Sequence, residues 1–189
     1  MNVAFFHDSI FIKKENTYYT SGTLNDELFQ FYLEFFKEIT VVTRYVPFDP
    51  SKKKYINSTN KISLDQVNFH LVPSYQKARK IVKEEMKKCD VAIIRCHSFI
   101  GTIAAYYAKK YKKKYIAESV SCAFDCLWYH STLGKVIAPF LYLFTKQAIK
   151  NATAVTYVSS KFLQKRYPNK HKTLSCSDVV IDKVYKADT

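Results

Sequence analysis

Residues 89–119, CDVAIIRCHSFIGTIAAYYAKKYKKKYIAES, contain the pattern that decides the fold. The apolar run at 89–98 ends in polar residues and predicts a buried strand. Residues 99–111 predict a helix, and residues 114–119 predict a second short strand. Because both strands are mostly apolar and show little alternation, the pattern is typical of a parallel sheet that is covered by helices.

The same alternation of strand and helix extends over the rest of the chain. Further strands are predicted at 2–7, 38–44, 67–72 and 152–160, with a final extended piece at 172–182. Helices are predicted at 23–37 with Thr23 as N-cap, at 75–88, at 131–150 as one helix or two broken near Pro139, and at 161–167. Residues 8–22 and 47–61 are predicted to be loops. We therefore predict an α/β fold: a Rossmann-like, mostly parallel sheet with helices on both faces, forming one domain over residues 1–182.

Composition limits the classes of partner. The chain has 189 residues, and a hydrophobic fraction of 48% excludes a disordered protein. Lys and Arg number 30 against 16 Asp and Glu, which gives a net charge of +14. This charge favours an anionic partner, namely nucleic acid, an anionic membrane surface or a phosphate-bearing substrate. The alternative is a lysine-rich composition without a specific partner.

The cysteines and the hydropathy pattern bear on location. No signal peptide is recognisable, so we expect reduced thiols and a cytoplasmic protein. No apolar run is long enough to span a membrane. The apolar segment 136–150 carries lysines at its flanks, so it either covers the sheet or lies at the inner face of the cell membrane. Cys122, Cys126 and His130 recur every four residues, but this is not a usual zinc spacing, and we predict no metal site.

Polar residues follow several of the predicted strands, and we take them as candidate site residues. Ligands of open parallel sheets bind outside the carboxyl ends of the strands. His7 follows the first strand, His97 follows the strand at 89–98, and Glu118 and Ser119 end the strand at 114–119. His97 is either a general base or a loop histidine bonded to backbone. Glu118 either binds sugar hydroxyls or caps a turn.

A single glycine precedes the first predicted helix. Ser21 and Gly22 lie in the stretch TSGT, where a glycine lets the backbone approach a ligand at a helix N-terminus. A phosphate or a sugar hydroxyl would suit that place. The alternative is that Gly22 is an ordinary turn residue.

The last third of the chain carries a more specific signal. Glu118 is an acidic residue after a strand, and Leu127 to His130 read LWYH. Residues 157–168 read YVSSKFLQKRYP, and residues 176–182 read CSDVVID. In these features the chain resembles the N-terminal domain of family 4 glycosyltransferases of the GT-B fold, which make bacterial surface polysaccharides. The stretch 121–125, SCAFD, departs from the Gly-Asp-Pro-Trp-Asp loop of that family.

The resemblance implies a hexosyltransferase-type glycosyltransferase. It implies metal-independent transfer of a sugar from a nucleotide-sugar donor, without a cofactor, to a saccharide or lipid-linked acceptor. It places His97 at the reaction centre and Ser21 and Gly22 near the donor phosphates. It also makes Asp125 and His130, with His7, Glu118 and Ser119, candidates for substrate binding.

The resemblance further implies that the N-terminal domain binds the acceptor and that a C-terminal domain binds the donor. Residues 183–189 would begin the crossover to that domain or form a tail. The donor domain is then missing from the chain or belongs to a partner subunit, and we expect the chain alone to be inactive. Two alternatives are a non-catalytic membrane-docking subunit of a split glycosyltransferase and a basic nucleic-acid-binding domain. The absence of any RNA-binding signature argues against nucleic acid.

Overall fold

The computed structural model describes residues 1–20, 22–52 and 60–177, and in this part of the chain nine strands form one sheet. The strands are β1 (Asn2–Lys14), β2 (Thr17–Thr20), β3 (Glu38–Pro47), β4 (Asn60–Lys61), β5 (Val67–Val72), β6 (Val91–Cys96), β7 (Tyr115–Ser119), β8 (Ala154–Tyr157) and β9 (Lys172–Ser175). The helices are α1 (Asp26–Leu33), α2 (Tyr75–Lys88), α3 (Phe99–Lys110), α4 (Ala123–Trp128), α5 (Thr132–Asn151) and α6 (Phe162–Arg166).

The parallel strands lie in the order β5-β3-β1-β6-β7-β8-β9. Each connection leads outward from β1, first in one direction to β3 and β5 and then in the other to β6 and beyond. The order therefore reverses between β1 and β6, as in the dinucleotide-binding folds. Ligands of such sheets bind at this switch point, outside the carboxyl ends of the strands.

Both faces of the sheet carry helices. Alternating side chains of β1 separate the two cores: Val3 and Phe5 pack with α1, while Ala4 and Phe6 face the cluster that includes α2, α3 and α5. Phe29 of α1 contacts the ring of Phe5 edge to face, at 6.0 Å between centroids. The predicted fold class, a Rossmann-like and mostly parallel α/β sheet with helices on both faces, is confirmed.

The prediction that residues 8–22 form a loop is wrong. Strand β1 continues to Lys14 and returns as the antiparallel strand β2. A register shift against β3 between Phe6 and Ile10 marks a bulge, which absorbs the polar residues that follow His7. Beyond the bulge, Phe11 and Ile12 are again buried. The strand therefore continues because buried apolar residues resume after the bulge.

Several helix boundaries also differ from the predictions. Helix α1 spans eight residues instead of 23–37, and its N-cap is Asn25, whose side chain accepts the Leu28 N–H, instead of Thr23. Helix α5 continues unbroken through Pro139, which lies on its exposed side. Helix α4 was not predicted. Strand β4 lies at the end of the predicted loop 47–61, and residues 53–59 and 178–189 lie outside the described ranges.

Candidate functional site at the switch point of the sheet

The bulge in β1 brings polar residues to the point where the strand order reverses. There an open cleft of about 420 Å³ lies between the bulge of β1 and the carboxyl ends of β6 and β7. Its lining side chains are polar except one: His7, Asp8, Ser9, Thr23, Arg95, His97, Val120 and Ser121. The cleft coincides with the place where the topology predicts a ligand.

A buried ion pair forms the floor of the cleft. Arg95 of β6 and Glu118 of β7 are paired in the parallel ladder, and Arg95 Nη1 lies 3.0 Å from Glu118 Oε2. Tyr32 of α1 donates its hydroxyl to Glu118 Oε1, so both carboxylate oxygens are engaged. Arg95 Nη2 also donates to Thr23 Oγ1 at 3.3 Å. Arg95 and Glu118 are only 5% and 8% exposed, so these bonds hold the guanidinium rigidly at the site.

His7 is held as a neutral hydrogen-bond donor. Its Nδ1 accepts the backbone N–H of Ser9 at 3.0 Å and lies 2.8 Å from Ser9 Oγ. A nitrogen that accepts an N–H carries no proton, so the neutral ring has its proton on Nε2. Burial, together with the charge of Arg95 and the neighbouring His97, lowers the pKa of His7 to about 3. His7 is therefore uncharged throughout the physiological range.

His97 is the second imidazole of the cleft. It follows β6 across a cis Cys96–His97 peptide bond, and its Nδ1 lies 2.9 Å from Ser121 Oγ. Burial lowers the pKa of His97 below its usual value of 6.5. At neutral pH the ring is therefore uncharged. When Nδ1 donates to Ser121, Nε2 has a lone pair that can accept a proton.

Asp8 closes the N-terminus of α3. Its two carboxylate oxygens accept the N–H groups of Phe99 and Ile100 at 2.6 and 2.8 Å. Ser98 Oγ accepts the next N–H, that of Gly101, at 2.7 Å. Burial nevertheless raises the pKa of Asp8 above its ordinary value. The first N–H groups of α3 are thus occupied by side chains, so this helix end does not offer a free anion site.

An aromatic surface borders the cleft on the side of β3 and α2. Tyr75 and Phe99 are half-exposed and pack edge to face at 5.6 Å between ring centroids. The guanidinium of Arg44 lies over the Tyr75 ring at 4.8 Å and donates to its hydroxyl at 3.0 Å. We call these three residues the Arg44 platform.

The predicted site residues fall into three groups, and their roles stay predictions. His7 and His97 line the cleft. Glu118 lies behind Arg95, and Gly22 lies beside the lining residue Thr23, with its N–H donated to Thr20 Oγ1. Four residues are not placed in the cleft lining: Ser119 is fully buried, Asp125 pairs with Arg166 at 3.2 Å, His130 is exposed beyond α4, and Ser21 lies outside the described residues.

Arg95 is the main residue that sequence reasoning missed. Its signal is an arginine within an otherwise apolar strand, at the fifth residue of β6. Burial of a charge requires a partner, and Glu118 occupies the equivalent place one strand later in the chain. One charged residue in each of two successive apolar strands is therefore the sequence signal of this ion pair, and the register between the strands joins them.

Within the described ranges, no group of three or more His, Cys, Asp or Glu side chains is arranged to hold a metal ion. The predicted absence of a metal and of a cofactor stays a prediction. In the same part of the chain, no helix has the length and apolar character needed to cross a membrane.

Comparison with known proteins gives one sequence relative. No family model matches the chain. The chain is 32% identical over 180 residues to Protein CapJ of Staphylococcus aureus, in a match that covers 89% of this chain and 44% of CapJ. It thus spans less than half of the length of this curated relative.

Solved structures give a broad similarity. One is that of Arabidopsis thaliana UGT89C1 complexed with UDP-L-rhamnose, with a TM-score of 0.49 and 11% identity, covering 96% of this chain and 53% of that chain. Another is a UGT transferase from Siraitia grosvenorii in complex with UDP, with a TM-score of 0.44 and 10% identity, covering 88% of this chain and 46% of that chain.

Proposed function

We propose that this chain forms the acceptor-binding half of a hexosyltransferase-type glycosyltransferase. The enzyme moves a sugar from a nucleotide-sugar donor to a polysaccharide or lipid-linked acceptor. The observation that carries the proposal is the cleft at the switch point, where a neutral His97 and a rigidly held Arg95 face the same polar space. The resemblance of residues 114–182 to family 4 glycosyltransferases supplies the class of reaction.

His97 serves as the proton acceptor in this proposal. A histidine acts as a base at neutral pH only if its ring is uncharged at that pH. Burial lowers the pKa of His97 and so keeps its ring uncharged. The acceptor hydroxyl forms a bond to the anomeric carbon of the donor sugar as the bond to the nucleoside diphosphate breaks. Its proton passes to Nε2 of His97, while Ser121 Oγ fixes the ring through Nδ1.

Arg95 supplies a guanidinium that is fixed in place, with its charge balanced by Glu118. Its guanidinium is positioned by Glu118 and Thr23 before a ligand arrives, so binding an anion requires little reorganisation. Diphosphate is the anionic group that both a nucleotide sugar and a lipid-linked acceptor contain. His7 adds a neutral donor at Nε2 without adding charge.

The Arg44 platform offers a place for the acceptor sugar. Exposed aromatic rings next to a cation suit a ligand that has both an apolar face and phosphate or hydroxyl groups. Since the chain spans 44% of CapJ, we assign the donor-binding part of the enzyme to polypeptide outside this region or to a partner subunit. Independence of metal ions belongs to the same proposal.

Binding of an acceptor analogue tests the proposal. The probe is a water-soluble, short-chain polyprenyl diphosphate that carries one N-acetylhexosamine, titrated into residues 1–189 by calorimetry. We expect saturable binding, weakened at least tenfold by His97→Ala, because that change removes a ring from the cleft. The matched control His130→Ala, at an exposed histidine outside the cleft, should bind as the wild type does. Equal weakening by both changes, or no binding of the probe at millimolar concentration, would refute the assignment.

A further inference from the structure

Helix α5 is apolar on two opposite faces, and only one of them is buried. Its inner face contributes Leu141, Ala148 and Ile149 to the core. Its outer face carries large apolar side chains that are 55–67% exposed: Leu133, Val136, Phe140, Leu143 and Phe144. We call these five residues the outer stripe of α5. Tyr129, just before the helix, is 83% exposed.

The outer stripe is a continuous surface. Leu133, Val136, Phe140 and Leu143 recur at intervals of three and four residues, and Phe144 lies four residues after Phe140. At 100° per residue the five side chains therefore occupy about one third of the helix circumference. From Leu133 to Phe144 the stripe runs for about 16 Å along the axis. Single exposed apolar residues are ordinary on protein surfaces, whereas contiguous patches of this kind mark sites of interaction.

Lysines border the stripe along one edge. Lys135, Lys146 and Lys150 follow one another on the flank of the helix, and α5 contains no acidic residue. Lys135 and Lys146 extend over the rings of Trp128 and Tyr142, at 6.0 and 5.8 Å from the ring centroids. The nearest carboxylate on the neighbouring helix α4, that of Asp125, is paired with Arg166.

We infer that the outer stripe of α5 docks the protein on an anionic phospholipid surface. A helix with exposed apolar residues, an interfacial tyrosine and lysines at its edge has the composition of helices that lie in the plane of a membrane. The acyl boundary covers the stripe, while the lysines reach the phosphate groups and bury their aliphatic stems. The charge of +14 on the chain adds long-range attraction to the same surface. This inference does not depend on the proposed sugar transfer.

Vesicle flotation tests the inference with residues 1–189. The vesicles contain phosphatidylglycerol and phosphatidylcholine, or phosphatidylcholine alone, at about 0.1 M salt. We expect the wild-type chain to float with the anionic vesicles and to stay in solution with the neutral ones. Replacing Leu133, Phe140 and Phe144 together by Ser should lower the partition coefficient at least a hundredfold, because these side chains lie on the solvent side and make the apolar contact.

A matched double variant separates the stripe from general surface properties. Phe31→Ser with Phe35→Ser removes an equally exposed aromatic pair from α1 and the turn that follows it, on the opposite face of the sheet, and should bind the vesicles as the wild type does. Circular dichroism of each variant establishes that it remains folded.

The lysines are tested by charge reversal. Loss of one lysine should weaken binding to the vesicles about fivefold. Changing Lys135, Lys146 and Lys150 to Glu should weaken it by more than this for each residue, because the anionic surface also repels each new carboxylate. The same three reversals on α2, at Lys77, Lys80 and Lys83, alter the net charge equally and should reduce binding much less. Equal losses in the two triple variants would attribute binding to net charge alone and overturn the inference.

Two other results would also overturn it. One is a failure of the wild-type protein to float with the anionic vesicles. The other is a dimer, detected by analytical ultracentrifugation, that is lost when Leu133, Phe140 and Phe144 are replaced by Ser. In that case a second copy of the chain would cover the stripe.

Discussion

Replacing His7 by Asn should make the protein less sensitive to acid. The pKa of His7 is lowered from 6.5 to about 3 in the folded state, so below pH 6.5 the unfolded chain binds a proton that the folded chain does not. Stability is therefore fully present above pH 6.5 and is lost as the pH falls toward 3. At pH 5 the loss is about 1.5 pKa units at 1.36 kcal/mol each, or about 2 kcal/mol. Asn does not titrate, and its amide oxygen can accept the Ser9 N–H in place of Nδ1.

Urea denaturation at pH 7, 6 and 5 measures this difference. Trp128 is the single tryptophan of the chain and reports unfolding by its fluorescence. Between pH 7 and pH 5, the free energy of unfolding should fall by about 2 kcal/mol more in the wild type than in His7→Asn. His97 and Asp8, whose pKa values are lowered and raised respectively, are present in both proteins, so their contributions cancel in the comparison. Parallel pH profiles for the two proteins would refute the placement of a neutral, buried His7.

Three further predictions concern the ion pair, the glycines and turnover. Glu118→Gln removes the carboxylate that faces the buried Arg95 and should lower the free energy of unfolding by about 3 kcal/mol in urea denaturation, whereas a loss below about 1 kcal/mol would contradict the pair. Gly134→Ala would place a Cβ 2.1 Å from the Leu127 carbonyl oxygen and should lower the free energy of unfolding by at least about 2 kcal/mol. At Gly22 an added Cβ lies 3.9 Å from its nearest atom, so Gly22→Ala should change the free energy of unfolding by less than about 0.5 kcal/mol. The purified chain alone should transfer no sugar from a radiolabelled nucleotide sugar to a lipid-linked acceptor, and robust turnover would contradict the assignment of the donor half to other polypeptide.

The regular part of the fold follows from sequence pattern. Strand β5 and helices α2 and α3 lie within one residue of their predicted ends, because their apolar periodicity is unambiguous and polar residues bound them. The continuation of β1 was missed for the opposite reason. Polar residues in a bulge look like the end of a strand, and only pairing with β3 shows that the strand resumes.

The site is predictable where it depends on strand ends alone. His7 lies at the bulge of β1 and His97 follows β6, and the topology of any such sheet brings the ends of its central strands together. Arg95 was missed because its significance lies in its pairing with Glu118, which depends on the register between two strands. His130 does not line the cleft, because helix α4 carries the chain beyond it, and its predicted role in substrate binding stays a prediction.

Histidine side-chain NMR during titration tests the central claim most directly. The chain has five histidines, and the probe is the same soluble polyprenyl diphosphate N-acetylhexosamine, added to ¹⁵N-labelled protein. If the cleft binds the acceptor, the imidazole signals of His7 and His97 shift together and saturate at one concentration. The signals of His70, His130 and His171 stay unchanged, because these residues do not line the cleft. A saturable shift of His130 without His7 and His97, or no shift at any histidine, would contradict the claim.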